Sequence, residues 1–231
     1  MNKREQQRLI REQKQQAAER SAVRRKQISR LAVFVVVPLL LIAVFYGIAG
    51  QGEIYPPDQI SAGDHVKGNP DSNVTMVVYA DFQCPACATE HRVMAQAWPR
   101  IADQVQVVFR HYPLTGTHRF AWTAALYAEA AGRQGQFWEM YDLLFLNQTY
   151  WSGLAEVEAE FDGYLEQLGL DIDKAHEDMQ SEAVLQKVRN DQRGGTRAGV
   201  RSTPALFVNG RQTTVPQNPV DMISLVNRTD T

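Results

Sequence analysis

The stretch FQCPACATEH, residues 82–91, holds the only two cysteines of a 231-residue chain. Two thiols with two residues between them admit three chemistries. As a structural staple, a Cys84–Cys87 disulfide would close so short a loop that it hardly restrains the unfolded chain. As a metal site, the pair could enlist His91, since residues at positions i and i+4 share a helix face. A structural zinc centre wants four ligands, however, and His65, His111, His118 and His176 are scattered singly. As a redox pair, the spacing is used directly. A Cys-x-x-Cys set where a strand turns into a helix puts its first sulfur at the helix N-terminus. There, unpaired N–H groups and the helix dipole favour thiolate over thiol. The second sulfur lies one turn along, within disulfide reach. Pro85 suits the first helical position because it has no N–H to lose. On the redox reading Cys84 is exposed and reactive, and Cys87 is the more buried, resolving thiol.

The flanking segments must supply that strand and that helix. NVTMVVYADF, 73–82, is rich in β-formers and reads as a buried central strand. Helical character runs from about Cys84 to Ile101, with Pro99 as an interruption. QVQVVFRHY, 104–112, reads as a second strand, which makes a βαβ unit. From Thr117 to about Arg197 every segment has helical spacing, with stripes such as Phe120, Ala124, Tyr127 and Ala131 that read as core. PALFV and RQTTV then flank Asn209-Gly210, a strong hairpin signal, and PVDMISLVNR closes the chain as a short helix. The layout is a small mixed sheet with about eighty helical residues inserted in its middle. Pro204, in RSTPALFVNG, stands immediately before a late strand. X–Pro is the bond type that is cis at modest cost. A cis Thr203–Pro204 beside Cys84 would leave a backbone edge for an extended substrate; otherwise Pro204 is an ordinary strand-start proline.

The formal net charge of −2 hides an asymmetry. Residues 1–30 hold ten Lys or Arg against three Glu, and residues 51–231 hold 14 against 23 acidic residues. Between them lies LAVFVVVPLLLIAVFYGIAG, residues 31–50, with no charge at all. Twenty helical residues would rise roughly 30 Å, about a bilayer's hydrocarbon thickness. The expectation is a single transmembrane helix at 31–50, with 1–30 as a basic cytoplasmic tail and the rest outside the cytoplasm. A cleaved signal peptide is the rival, but the apolar run and the basic leader are both long for one. The leader reads as a solvated Gln-rich segment that sets topology and not as a nucleic-acid ligand. Residues 51–70, with YPPDQ, AGD and GNP, read as an irregular linker. NVT, NQT and NRT match the glycosylation pattern, a short motif that recurs by chance.

DFQCPAC, the helical insertion and STPALFVNG together resemble the DsbA family of thioredoxin-fold thiol–disulfide oxidoreductases, in its membrane-anchored branch. The likeness runs from about His65 to Arg228. It implies an α/β thioredoxin-like fold over 71–231 with an all-helical insertion at about 115–200, preceded by the transmembrane helix. It implies Cys84 and Cys87 as the catalytic pair, supported by Pro85, Ala86, Thr203 and a cis Pro204, with no metal and no cofactor. It also implies a monomer in the bacterial inner membrane, exported proteins with free cysteines as substrates, and a quinone-linked membrane oxidase that recharges the disulfide. Two departures stand out. Many thioredoxin-fold enzymes carry a buried acid six residues before the first cysteine, as proton acceptor for the second; here that position is Val78. Asp81, the nearest acid, has the opposite strand parity and is expected to be exposed or to cap the helix. Ala86 stands where DsbA has a histidine, which implies a potential somewhat below that of the strongest oxidants. The alternatives are a reductase or isomerase with the dithiol as active form, and a copper- or zinc-binding chaperone that uses the same cysteines.

Overall fold

The computed structural model describes residues 14, 20, 24, 25, 32–44 and 56–229, in two units, Met1–Gly52 and Glu53–Thr231. In the first unit residues 32–44 form a helix, α1, with exposed side chains. Among the described residues no helix is long and apolar enough to cross a membrane. This corrects the transmembrane span expected over 31–50 and the single-pass inner-membrane placement drawn from it. Residues 31 and 45–50 of that apolar run lie outside the described residues. Most of the basic tail, and residues 45–55, lie outside the described residues.

The second unit is organised by strand β2 (Thr75–Ala80), which follows β1 (His65–Gly68) and is followed by helix α2 (Pro85–Ile101) and β3 (Gln106–His111). Five helices of two turns or more and one short turn come next: α3 (Ala121–Arg133), α4 (Phe137–Leu146), the four-residue α5 (Gln148–Trp151), α6 (Glu158–Gln167), α7 (Ile172–Gln180) and α8 (Glu182–Arg197). Strands β4 (Ala205–Val208) and β5 (Arg211–Thr213) and helix α9 (Pro219–Thr229) complete the unit. The helical block between β3 and β4 is the insertion that periodicity predicts. β1 falls inside the stretch read as linker. It is a four-residue edge strand whose only signal is its antiparallel pairing with β3.

The sheet order is β1-β3-β2-β4-β5. β2 pairs in parallel with β3 and antiparallel with β4, so it is the buried centre, as its β-branched composition requires. Its side chains alternate. Met76, Val78 and Ala80 join the cluster that α2, α3, α4 and α9 cover. Val77 and Tyr79 face the other side, with Val108, Tyr112 and Phe207. There α8 lies close against the sheet at Gly194-Gly195: a Cβ on Gly195 would fall 2.8 Å from ring atoms of both Tyr112 and Tyr79. Asn209 (φ 46) and Gly210 (φ 77) are both left-handed, which makes the expected tight turn between β4 and β5.

Buried charges tie the edges together. Arg110, fully buried on β3, makes a two-pronged bond to Asp64 (3.1 and 2.8 Å) and donates to the carbonyls of Pro56 and Gln59. Lys187 of α8 reaches Asp64 at 3.7 Å and Asp191 at 2.6 Å. Glu129 of α3 accepts from His111 at 2.7 Å and His65 at 2.8 Å. Burial works to raise the Glu129 carboxyl, but the two imidazoles outweigh it and hold it below the ordinary carboxylate range. Gly195→Ala is expected to cost about 1–3 kcal/mol, because the added methyl must displace two packed rings. Urea unfolding with an unchanged midpoint would show that the α8–sheet contact is looser than described.

Candidate functional site

Register decides what meets at the end of β2. Tyr79 is paired with Ala205, so the residues just before β4 lie level with the residues just after β2. Thr203 and Pro204 are thereby brought to the turn that carries Cys84. The Thr203–Pro204 peptide bond is cis. Cys84 is the N-cap residue of α2 (φ −76, ψ 121) and Pro85 takes the first turn. No side chain caps this terminus, so its free N–H groups are left for the sulfur.

Both cysteines are unbridged thiols. Cys84 is 7% exposed, more buried than the sequence suggests, because the Thr203 loop covers it; its Sγ lies 3.4 Å from the Thr203 carbonyl oxygen. Cys87 is completely buried. Pro85 and Ala86 are exposed. The two sulfurs are driven apart in acidity. Cys84 is pulled down to about 5, first by the hydrogen bond from the Cys87 thiol; burial opposes this, and the Thr203 side chain and the amides of Cys87 and Ala86 assist. Cys87 is pushed well up, first by burial and then by its hydrogen bond and charge relation to Cys84. The buried Thr203 hydroxyl has no hydrogen-bond partner. It is a donor that an anionic sulfur can use.

The loop that presents Cys84 is fixed from three directions. Phe82 packs among Phe109, Tyr141 and Phe145. Asp81 is 1% exposed, neither exposed nor the helix cap. Its carboxylate accepts from Gln83 N at 2.7 Å, Leu114 N at 2.8 Å and His118 Nδ1 at 2.8 Å. Gln148, buried in the insertion, donates to the carbonyls of Phe82 (2.7 Å) and Cys84 (2.8 Å). It lies within NQT, where the sequence offers only a glycosylation pattern. His91 turns away from the sulfurs: its Nε2 bonds Asp142 Oδ1 at 2.8 Å and its ring stacks on Phe145. Among the described residues no group of three or more His, Cys, Asp or Glu side chains is arranged to hold a metal ion. Glu90, which the sequence does not single out, is buried on the same helix.

A family model described as Thioredoxin matches residues 61–228. Among curated proteins, the Na(+)/H(+) antiporter NhaA 1 of Salinispora arenicola is 37% identical over 173 residues, covering 74% of this chain and 25% of that protein. The antiporter NhaA 3 of Salinispora tropica is 38% identical over 162 residues, covering 67% of this chain and 23% of that protein. The chain thus spans about a quarter of the length of these relatives. Among solved structures, BdbD of Bacillus subtilis in its oxidised form superposes with TM-score 0.66 at 17% identity, over 77% of this chain and 98% of that one. The alpha-DsbA1 protein of Wolbachia pipientis gives 0.64 at 18%, over 74% and 92%. A thioredoxin-like oxidoreductase of Silicibacter pomeroyi gives 0.61 at 22%, over 73% and 92%. The likeness at these identities is one of fold.

The Cys84 thiolate has a consequence for pH. Its folded value of about 5 lies below the ordinary 9.0, so between these values the unfolded chain binds a proton that the folded chain does not. The reduced protein therefore gains stability as pH rises from about 5 towards 9, and loses that gain as pH falls through about 5. The rate of Cys84 alkylation by iodoacetamide is expected to titrate near pH 5 and, in Cys87→Ala, to shift upward by one unit or more. An ordinary thiol titration in the wild-type chain would refute the described stabilisation.

Proposed function

The chain belongs to the thioredoxin family, and on that premise we propose that it is a thiol–disulfide oxidoreductase whose redox pair is Cys84 and Cys87. The observation that supports this most strongly is the unequal placement of the two sulfurs, Cys84 at the uncapped N-terminus of α2 and Cys87 fully buried one turn along, which drives their acidities apart. A structural disulfide needs no such division. A leaving group and a resolving nucleophile do.

In the oxidising direction a substrate thiolate attacks Cys84 Sγ of the disulfide. The Cys84–Cys87 bond breaks, Cys87 leaves and takes up a proton, and a mixed disulfide joins Cys84 to the substrate. A second substrate thiolate then attacks the substrate's own sulfur in that bond and expels Cys84 as the stabilised thiolate. Two electrons pass from the substrate dithiol to the protein. A low-pKa Cys84 favours this direction because it makes a good leaving group and stabilises the reduced form. Pro85 and Ala86 border the sulfur without a charge, and Thr203 and Pro204 form the wall beside it. The substrates we infer are proteins with free cysteines, and a quinone-linked membrane oxidase is the class of partner that would recharge the pair.

Equilibration of the full chain with glutathione buffers tests the direction. The expected potential lies above roughly −180 mV and below that of the strongest oxidants at roughly −120 mV. A value near about −270 mV would make the dithiol the working form and the protein a reductase. Cys84→Ser is expected to abolish turnover of reduced, unfolded protein substrates, and full activity in that variant would sink the assignment of the pair.

A further inference from the structure

Cys87 must lose its proton to attack and regain one when it leaves, yet the strand beneath it offers Val78 and no acid. Val78 faces α2 in the same apolar cluster as Cys87, Ala88 and Met94. α2 itself carries a single acid, Glu90. Positions 87 and 90 lie one turn apart on one helix face, with Cβ atoms roughly 5–6 Å apart. Glu90 is 3% exposed, and its Oε1 is buried without a hydrogen-bond partner. A buried carboxyl with one oxygen left without a partner is a costly thing to keep for structure alone. Glu90 also lines a pocket of about 290 Å³ together with Ala86, Thr89, Pro204, Val215, Pro216 and Gln217. That pocket is large enough for water, and it lies beside Ala86, one of the exposed residues between the cysteines.

We propose that Glu90 is the proton acceptor and donor for Cys87, filling from the helix the role that Val78 leaves empty in the strand. When Cys87 resolves a mixed disulfide, its S–H proton passes to the Glu90 carboxylate. The thiolate attacks Cys84 Sγ, the bond from Cys84 to the substrate sulfur breaks, and the substrate departs as a thiolate. In the oxidising direction the same proton returns from the Glu90 carboxyl to the departing Cys87 sulfur. Burial raises Glu90 to about 7, with Lys67 opposing, which suits a group that must both take and give a proton near neutrality. The charged and titratable groups that act on it or feel it are Lys67 on β1 and Tyr141 on α4; Cys87 and His91 lie on its own helix, and Asp142 of α4 is bonded to His91. Tyr141 is raised by burial and then by Glu90, Asp142 and Cys87, so it feels both ends of the proposed transfer. Lys67 is held over the Trp98, Trp138 and Tyr141 rings at 4.9, 4.4 and 5.3 Å. On α9, Met222 and Val226 are buried and Asp221 is bonded to Asn218.

This inference rests on the redox reading of the cysteines, and one experiment separates the two. Reduced full-length chain mixed with Ellman's reagent should release thionitrobenzoate in two phases. Cys84 attacks the reagent in the first, and Cys87 resolves the mixed disulfide in the second. The second phase in the wild-type chain is expected to level off above an inflection near pH 7. In Glu90→Gln the inflection should vanish and the second phase at about pH 8 should slow at least about tenfold, a modest share for general-base catalysis. The first phase should be unchanged and the melting temperature not lowered, since a desolvated charge has been removed. In Lys67→Met the inflection should move to higher pH. An unaltered second-phase profile in Glu90→Gln, or an unmoved inflection in Lys67→Met, overturns the role of Glu90 while the redox pair stands. A wild-type chain with no second phase overturns the redox pair itself.

Discussion

An anionic sulfur held out of water is the demand around which this domain is arranged. Burial alone would keep Cys84 protonated, so every element that touches the sulfur must supply a donor. α2 supplies its uncapped N-terminus, with the amides of Ala86 and Cys87 turned to the sulfur. Cys87 supplies its own S–H, and the loop before β4 supplies the Thr203 hydroxyl. These donors come from parts of the chain more than a hundred residues apart. They converge only because β2 is paired with β3 on one side and β4 on the other. The parallel β2–α2–β3 crossover aims the helix terminus, and the antiparallel register to β4 delivers the second wall. Sheet order is thus an electrostatic requirement as much as a packing one.

The insertion between β3 and β4 contributes to the same end by packing and hydrogen bonding. Phe82, one residue into the turn, is enclosed by rings from β3 and α4. Asp81 holds the turn to Leu114 and His118 at the start of the insertion. On the other side of the sheet, α8 is clamped by Lys187 and Asp191, and Asp191 in turn accepts from the His111 amide at 3.0 Å. The helical block and the sheet share buried charges, so neither moves without exposing the other's unpaired partners.

Much of this arrangement is legible from the residues alone, because it rests on local chemistry. The Cys-Pro-Ala-Cys spacing, the β-rich run before it, the proline before the last hairpin and the Asn-Gly turn each carry their meaning within a few residues. What escapes is whatever depends on contact at a distance. His65–Gly68 is too short and too exposed to announce a strand; only β3 makes it one. Asp81 reads as a cap because the sequence cannot show the Leu114 amide and His118 that claim it. Gln148 and Glu90 are unremarkable in their own segments; only the fold sets Gln148 on the Cys84 carbonyl and buries Glu90. The apolar run at 31–50 misleads in the opposite way, since hydropathy reports composition and not helical extent.

The two bonds from Gln148 turn the carbonyls of Phe82 and Cys84 inward, towards a buried amide. On that flank these two carbonyls are already engaged. The opposite flank, at Thr203 and Pro204, is not sealed in this way. The mouth of the site is therefore handed. On the proposed redox role, a visiting segment would align its own backbone along the Thr203–Pro204 lip, and its cysteine would reach the sulfur from that side. Selection among visitors would then fall to the few side chains lining that lip, Val215 and Gln217 among them, and not to a two-sided cleft that grips the chain.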